Sequence, residues 1–417
     1  MIPKLKRVLI SLCCFGICGC VYFGLRLTRT KDFLTKRDHT DQFIVKEQAY
    51  YRQADLNNTT AKRVGVKVSE VSVKTANPFN GEAKQPTERI KHRPVSSYSL
   101  PPTLFNGTDM NPKIMAFFTK NASDPRDPYI NLHQFVYSLN PSVCANTSVF
   151  LMMVIHSAPG NAKKRDLIRK TYGSLAKYRG RTLAHVFIMG RTTDDKLQNT
   201  IINESKLYGD IVQGNLPDSY SNLPQKHIMS MDWYIHHCNS SYILKLDDDV
   251  FINPYRVIDF LAGGDLTQRT MFCTKISGKG PVRSSKYKSY ISYQEYPFDI
   301  YPSFCLGYAY ITTPECWYSM HEVSKNSKAL RMDDVFVSTA LAMKAGVRKE
   351  DFGKIVFDCW YHMSHLNIET LRKKAIVIDR ANRCGSRPFH YWDHIKEDLV
   401  SLRTFNNSKK YQENNIG

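Results

Sequence analysis

From Ser148 to Leu246 the chain alternates apolar, β-rich runs with segments of helical character, and this alternation constrains the fold more than any other feature. "SVFLMMVIHS" reads as a strand. A Pro159-Gly160 break and the basic, helix-like "NAKKRDLIRKTYGSLAKY" follow. "LAHVFIMG" predicts a buried strand, "TTDDKLQNTIINESKLYG" a helix with Thr and Asp at its start, and "DIVQG" a short strand. "NLPQKHIMSMDWYIHHC" reads as a further helix and "SYILKL" as the strand after it. Such alternation predicts an α/β architecture with a mainly parallel central sheet. Ligands of open sheets of this kind bind beyond the carboxyl ends of the strands.

At one such end stands "YILKLDDDVFINP", Tyr242 to Pro254. Three adjacent carboxylates repel one another, and a strand end has no structural need of them. A hard divalent cation does need oxygen ligands on a rigid element with positions left open, and Mn²⁺, Mg²⁺ or Ca²⁺ would fit. An EF-hand is excluded, because its spaced ligands, central Gly and closing Glu are missing around Asp247. A solvated acidic turn is the plain alternative, but the apolar residues on both sides draw the triplet toward the body. A metal with few protein ligands is often completed by phosphates. The basic residues Lys163, Lys164, Arg165 and Arg169 begin the first helix. Arg165 and Arg169, four apart, share a face, whereas Lys163 and Lys164 read as solvated charge.

The N-terminus suggests the compartment. After the short basic segment 1–7, residues 8–25 carry no charge, which is near the lower limit for spanning a bilayer and predicts an uncleaved signal anchor. A cleaved signal peptide is the alternative, since Cys18-Gly19-Cys20 offers small residues for a peptidase. Flanking charge does not decide orientation. Eight Asn-x-Ser/Thr sequons do: Asn57, Asn58, Asn106, Asn121, Asn146, Asn203, Asn239 and Asn406 favour a body inside the secretory pathway, hence type II topology. Of 11 cysteines, seven lie beyond the anchor: Cys144, Cys238, Cys273, Cys305, Cys316, Cys359 and Cys384. In an oxidising lumen they predict disulfides of unknown connectivity, with at least one cysteine left over.

Residues 26–141 are polar, rich in breakers and weakly periodic, and read as a stem with no core assigned to it. A body spanning 142–400 and a polar tail, 401–417, follow. The net charge of +20 invites a nucleic-acid reading, but no compact nucleic-acid motif occurs, so none is expected as a partner. "MDDVFVSTALAMKAG" predicts a helix that Asp333 could cap and Gly346 ends.

From about Phe150 to Arg372 the chain resembles the β-1,3-glycosyltransferase family, the galactosyltransferase-like group of inverting Golgi enzymes. "SAPGNAKKRDLIRKTYG", "HVFIMG", "YGDIVQGNLPDSYSNLPQK", "LKLDDDVFIN", "YPSFCLGYAYI" and "MDDVFVSTALAMKAG" occur in the family's order. The resemblance implies a nucleotide-sugar glycosyltransferase (GT-A-like) fold. It also implies a UDP-sugar donor, a glycan acceptor on glycoprotein or glycolipid, Mn²⁺ or another divalent cation, and a Golgi membrane location; homo-oligomers are compatible with it. Asp249 would contact the metal, shared with Asp247, and Asp247 or Asp248 the nucleotide. Arg165, Arg169 and Lys245 would complete the donor side. Asp334 matches the proposed catalytic base, with Asp333 where the family usually has Glu, and Tyr172 stands where Trp is common. His365, in preference to His362, is a candidate for a metal or diphosphate contact.

"YPSFCLGYAY" is expected to form a substrate wall through Tyr301 and Tyr308, with Tyr310 assigned to the core. Cys305 is expected to be a disulfide partner. Two other readings compete with transfer: a non-catalytic luminal sugar-binding protein on the same fold, and a glycoside hydrolase using Asp249 and Asp334.

Overall fold

A computed structural model describes residues 111–122, 133–145, 148–264, 266, 269–353, 356–358, 376–378 and 392–396. The segments read as tail, anchor and most of the stem lie outside them, as do His362, His365, Cys359 and Cys384. Among the described residues no helix is long and apolar enough to cross a membrane.

The centre of the molecule is β2 (Val149–His156), whose "VFLMMVIH" is buried at every position but one. A run apolar at successive residues, not at alternate ones, is what a strand covered on both faces requires. It pairs in parallel with β4 (Arg181–Arg191) on one side and β6 (Ser240–Asp247) on the other. Outward from β4 come β5 (Ile211–Pro217), parallel, and β1 (Tyr137–Leu139), antiparallel. Outward from β6 come β9 (Phe304–Thr312) and β8 (Thr270–Ile276), each antiparallel to its inner neighbour, and then β10 (Arg348–Asp351), parallel to β8. A two-residue strand, β3 (Lys177–Tyr178), pairs with the start of β4. The sheet is therefore α/β but mixed: the expected parallel order holds from β5 to β6 and ends there. A second sheet joins β7 (Val250–Ile252), β12 (Ile376–Ile378) and β11 (Val356–Asp358).

This order creates a switch point. The chain runs from β2 outward through β4 to β5 and then returns to the opposite side of β2 as β6. The carboxyl ends of β2 and β6 consequently send their loops to opposite sides, which opens a crevice between them. Asp247 ends β6, and Asp248 and Asp249 form the turn that follows it.

The helices form where the sequence signals them. After β2 comes α1 (Ala162–Lys170), and between β4 and β5 lies α2 (Asp195–Tyr208). Asp194 caps α2 by accepting from the N–H groups of Lys196 and Leu197, and Gly209 closes it with φ 62°. Helix α3 (Leu223–His237) leads into β6 and is largely buried, and α4 (Pro254–Ala262) follows β7. Helix α5 (Pro314–Ser324) packs on α3 through Tyr234 and Trp317, whose rings meet edge to face at 5.5 Å. Burying a large apolar side chain of this kind contributes about 1.5–3 kcal/mol.

Part of the range read as stem belongs to the body. The helix Pro112–Thr119 is capped by Asn111 and buries Ile114 and Phe118. Phe117 meets Tyr296 and Phe298 edge to face. Weak periodicity in a polar context hid it, because this short helix is completed by distant aromatic partners.

Among the described residues two disulfides form, Cys144–Cys238 and Cys273–Cys305, spanning 94 and 32 residues. Closing loops of that length removes unfolded-chain entropy equivalent to roughly 3–5 kcal/mol each. Cys305 is a disulfide partner as expected, and Cys316 is buried as a free thiol.

Candidate active site

The three carboxylates are not equivalent. Asp248 is turned inward and accepts three hydrogen bonds, from Ser157 Oγ, Asn161 Nδ2 and Lys164 Nζ, each at 2.8 Å. Its backbone N–H also donates to the carbonyl of His156, the last residue of β2. The middle carboxylate thus ties the two loops of the crevice together. Asp247 and Asp249 remain open, with side chains 41% and 40% exposed against 7% for Asp248. Burial, and then the like charge of Asp247, raise the Asp249 carboxyl above its ordinary value.

The donor-side cations are placed differently from expectation. Arg165 is fully buried, and its guanidinium donates to both oxygens of Glu204, to Ser157 Oγ, and to the carbonyls of Ala158 and Pro159. Arg169 forks onto Asp210 at 2.7 and 2.8 Å and pairs with Glu204 at 2.7 Å. Burial disfavours the Glu204 carboxylate, but hydrogen bonds from Arg165 and Arg169 outweigh it and hold its pKa below the usual range. These arginines hold α1 on α2 and brace the turn after β2; within the described residues their charge is met by protein carboxylates. Lys164, read as solvated helix charge, reaches the triplet, 2.8 Å from Asp248 and 3.8 Å from Asp249.

Lys245 is buried beneath the loop. Its ammonium donates to Asp247 Oδ1 at 2.6 Å and to the Gly307 carbonyl at 2.5 Å. It orients Asp247. Burial alone would lower its pKa, yet the charges of Asp247 and Asp333 raise it.

Gly307 brings in the second carboxylate. A Cβ there would fall well inside contact distance of Asp334 Oδ1, and the Gly307 N–H donates to the Asp334 carboxylate. Asp334 opens the helical segment 333–344, an α-turn (Asp333–Val335) that runs into a π-helical stretch (Phe336–Leu341) and a final α-turn (Ala342–Lys344). Ser338 fixes this segment to β9 by donating to the Asp334 carbonyl at 2.5 Å and accepting from the Cys305 N–H at 2.8 Å. Burial, with the adjacent charge of Asp333, pushes the Asp334 carboxyl up to about 7. These effects outweigh the macrodipole of a helix start, which favours an ionised carboxylate.

Asp333 is not the cap that its position suggests. The cap residue is Met332, with no side-chain cap bond. The Asp333 carboxylate instead accepts from His227 Nδ1 at 3.0 Å, and His227 Nε2 accepts from Tyr310 O–H at 2.5 Å. This buried chain crosses from α3 to β9 under Asp334. Tyr301, Tyr308 and Tyr310 are all buried, so "YPSFCLGYAY" supplies core where a substrate wall was expected. Tyr172 donates to the Val250 carbonyl at 3.0 Å and packs its ring against Phe251, supporting β7 just after the triplet.

The sequence reading did not single out Ser157, Asn161, His227, Glu204 or Asp210, which lie far in sequence from their partners. His365, the expected further metal contact, lies outside the described residues. Among the described residues no group of three or more His, Cys, Asp or Glu side chains has a geometry that could hold a metal ion.

Two open carboxylates at a sheet switch point stand next to a half-buried carboxyl of raised pKa, and known proteins show the class of the chain. The family model described as "Galactosyltransferase" matches residues 163–352. Beta-1,3-galactosyltransferase 2 of Pongo abelii is 28% identical over 335 residues, covering 76% of this chain and 78% of that protein. UDP-GalNAc:beta-1,3-N-acetylgalactosaminyltransferase 1 of Mus musculus is 30% identical over 237 residues, covering 56% of this chain and 71% of that protein. The solved structure of galactosyltransferase LgtC with donor and acceptor sugar analogs overlaps 59% of this chain and 95% of that one, at TM-score 0.32 and 10% identity. The protein is a glycosyltransferase. Both relatives are β-1,3-transferases by name, and the chain belongs to the galactosyltransferase family of β-1,3-glycosyltransferases.

Proposed function

We infer that the chain catalyses inverting transfer of a hexose, galactose first and N-acetylhexosamine second, from a UDP-sugar to the 3-hydroxyl of an acceptor glycan, forming a β-1,3 linkage. The fold is then of the GT-A type. The observation that carries the reading is Asp334: a carboxyl raised to about 7, held by the Gly307 N–H and linked through Gly307 and Lys245 to Asp247. A group poised near neutral pH is suited to general-base work.

In the reaction Asp334 accepts the proton of the acceptor hydroxyl. The hydroxyl oxygen attacks the anomeric carbon from the face opposite the nucleotide, the bond from that carbon to the diphosphate oxygen breaks, and its electron pair leaves with UDP. Lys245 keeps Asp247 in place, and Asp248 locks the loop to α1. The half-exposed, mutually repelling carboxylates of Asp247 and Asp249 fit a hard divalent cation such as Mn²⁺, with His365 the expected further contact. Such a cation would neutralise charge on the departing diphosphate. Placement in the Golgi membrane as a single-pass type II protein with a luminal body belongs to the same reading, supported by the uncharged segment 8–25 and the sequons. The test is a screen of full-length protein against a panel of UDP-sugars with Mn²⁺ and a glycan acceptor panel, read as UDP release. UDP release dependent on both donor and acceptor is expected, and none with any pair would overturn the reading.

A further inference from the structure

Between β8 and β9 the segment 277–303 forms no strand, yet it is fixed in place from inside. The Arg283 guanidinium donates to the carbonyls of Ile291, Tyr296 and Phe298. Tyr296, Phe298 and Tyr301 interlock, with ring centroids 4.7–5.3 Å apart. The segment is also fastened beside the proposed base on two sides. The Arg331 N–H, two residues before Asp333, donates to Glu295 Oε1 at 2.7 Å. On the other side Lys288 Nζ lies 4.8 Å from the centre of the Tyr220 ring. Burial, and then the charges of Asp334 and Asp333, raise the phenol pKa of Tyr220.

The outer face has a distinct chemistry. From Lys275 to Gln294 there are five basic residues and no acidic one. Lys286 and Lys288 are exposed and form no ion pair among the described residues. Tyr287 and Tyr293 are 63% and 58% exposed, and Tyr293 is backed by Arg283 at 3.8 Å from its ring. The segment also carries two carboxylates, Glu295 accepting from the Arg331 N–H and Asp299 from the Tyr293 hydroxyl at 2.9 Å, and the five cations of 275–294 outnumber them. Flat aromatic faces suit sugar rings, and unpaired ammonium groups suit an anion.

Resting on the transfer reading, we propose that this segment, with Tyr220, is the acceptor platform and that the acceptor is an acidic glycan, one bearing a carboxylate or sulfate near the sugar that is extended. Charge complementarity selects this class over neutral glycans. The contacts lie on the protein surface, so the preference is salt-sensitive, with a screening length of about 8 Å at physiological ionic strength.

The experiment uses full-length protein and matched acceptor pairs: a neutral oligosaccharide and the same compound carrying a uronate, a sialate or a sulfate. One arm measures kcat/KM for transfer, and the other measures direct retention of each oligosaccharide without donor. The acidic member of a pair is expected to be preferred roughly five- to tenfold, a preference lost in Lys286→Glu/Lys288→Glu, retained in Lys286→Arg/Lys288→Arg, and collapsing at high salt. Lys196→Glu/Lys206→Glu, the same charge change on exposed residues of α2, should leave it unaltered. Equal use of neutral and acidic acceptors, or equal loss in the α2 variant, would overturn the proposal. Comparing the three acids shows which anion is read. Absence of turnover with every acceptor would remove the transfer reading, while the retention arm still decides the platform.

Discussion

Gly307 N–H donates to the Asp334 carboxylate, and the Gly307 carbonyl accepts from Lys245, so one glycine joins the helix carboxylate to the strand that carries the acidic triplet. Gly307→Ala would press a methyl group onto Asp334 Oδ1. Displacing a base by even about 1 Å can cost about a hundredfold in rate. The variant is expected to lose transfer on that scale while retaining donor binding, measured as UDP affinity by calorimetry.

Asp334 gives the reaction a pH signature. With the carboxyl raised to about 7, kcat/KM should rise with pH and level off above that value. Linkage runs the other way. The folded protein holds a proton that the unfolded chain releases near the ordinary carboxylate pKa, so this residue's contribution to stability is greatest below that point and is lost as pH rises to about 7. Asp334→Asn should therefore abolish transfer and leave the melting temperature at pH 8 equal to or above that of the wild type. A lower melting temperature with transfer intact would assign Asp334 a purely structural role.

Within the triplet, stability and activity should separate. Asp248→Ala strands the donors of Ser157, Asn161 and Lys164 and is expected to cost about 1–3 kcal/mol in urea unfolding. Asp249→Ala removes a half-exposed group, so it should barely change stability yet cut transfer at least a hundredfold, whereas Asp247→Ala should lower both, because it also strips the buried Lys245 ammonium of its counter-charge. A chelator should abolish wild-type turnover, and Mn²⁺ should restore it.

Glu204 faces two arginines in the interior. Glu204→Ala would leave Arg165 and Arg169 short of a counter-charge and is expected to destabilise by about 3–5 kcal/mol, checked by denaturant titration. If Arg165 contacted donor phosphate instead, the main change would be in UDP affinity.

Much of the layout was legible in order along the chain. Continuous apolar runs announced buried strands, Asp194 and Gly209 bounded α2, and the triplet lay at the strand end where an open sheet binds ligands. The antiparallel half of the sheet was not legible, because β8 and β9 are short apolar runs whose direction is set only by pairing with β6. The partners of the charged residues were not legible for the same reason. Arg165 and Arg169 show the right face, but their partners Glu204 and Asp210 lie some 40 residues away, and a helix pattern carries no record of them. Conversely, Lys164 reads as ordinary surface charge until the loop of Asp248 folds over it.

Local chemistry therefore determined where carboxylates cluster and which segments are strands or helices, since spacing and side-chain type act over a few residues. Which carboxylate is spent on structure, which is left open and which has its pKa raised were decided by the tertiary fold. Desolvation and charge pairing depend on atoms that only the crossing of β2, β6 and β9 brings within a few ångströms.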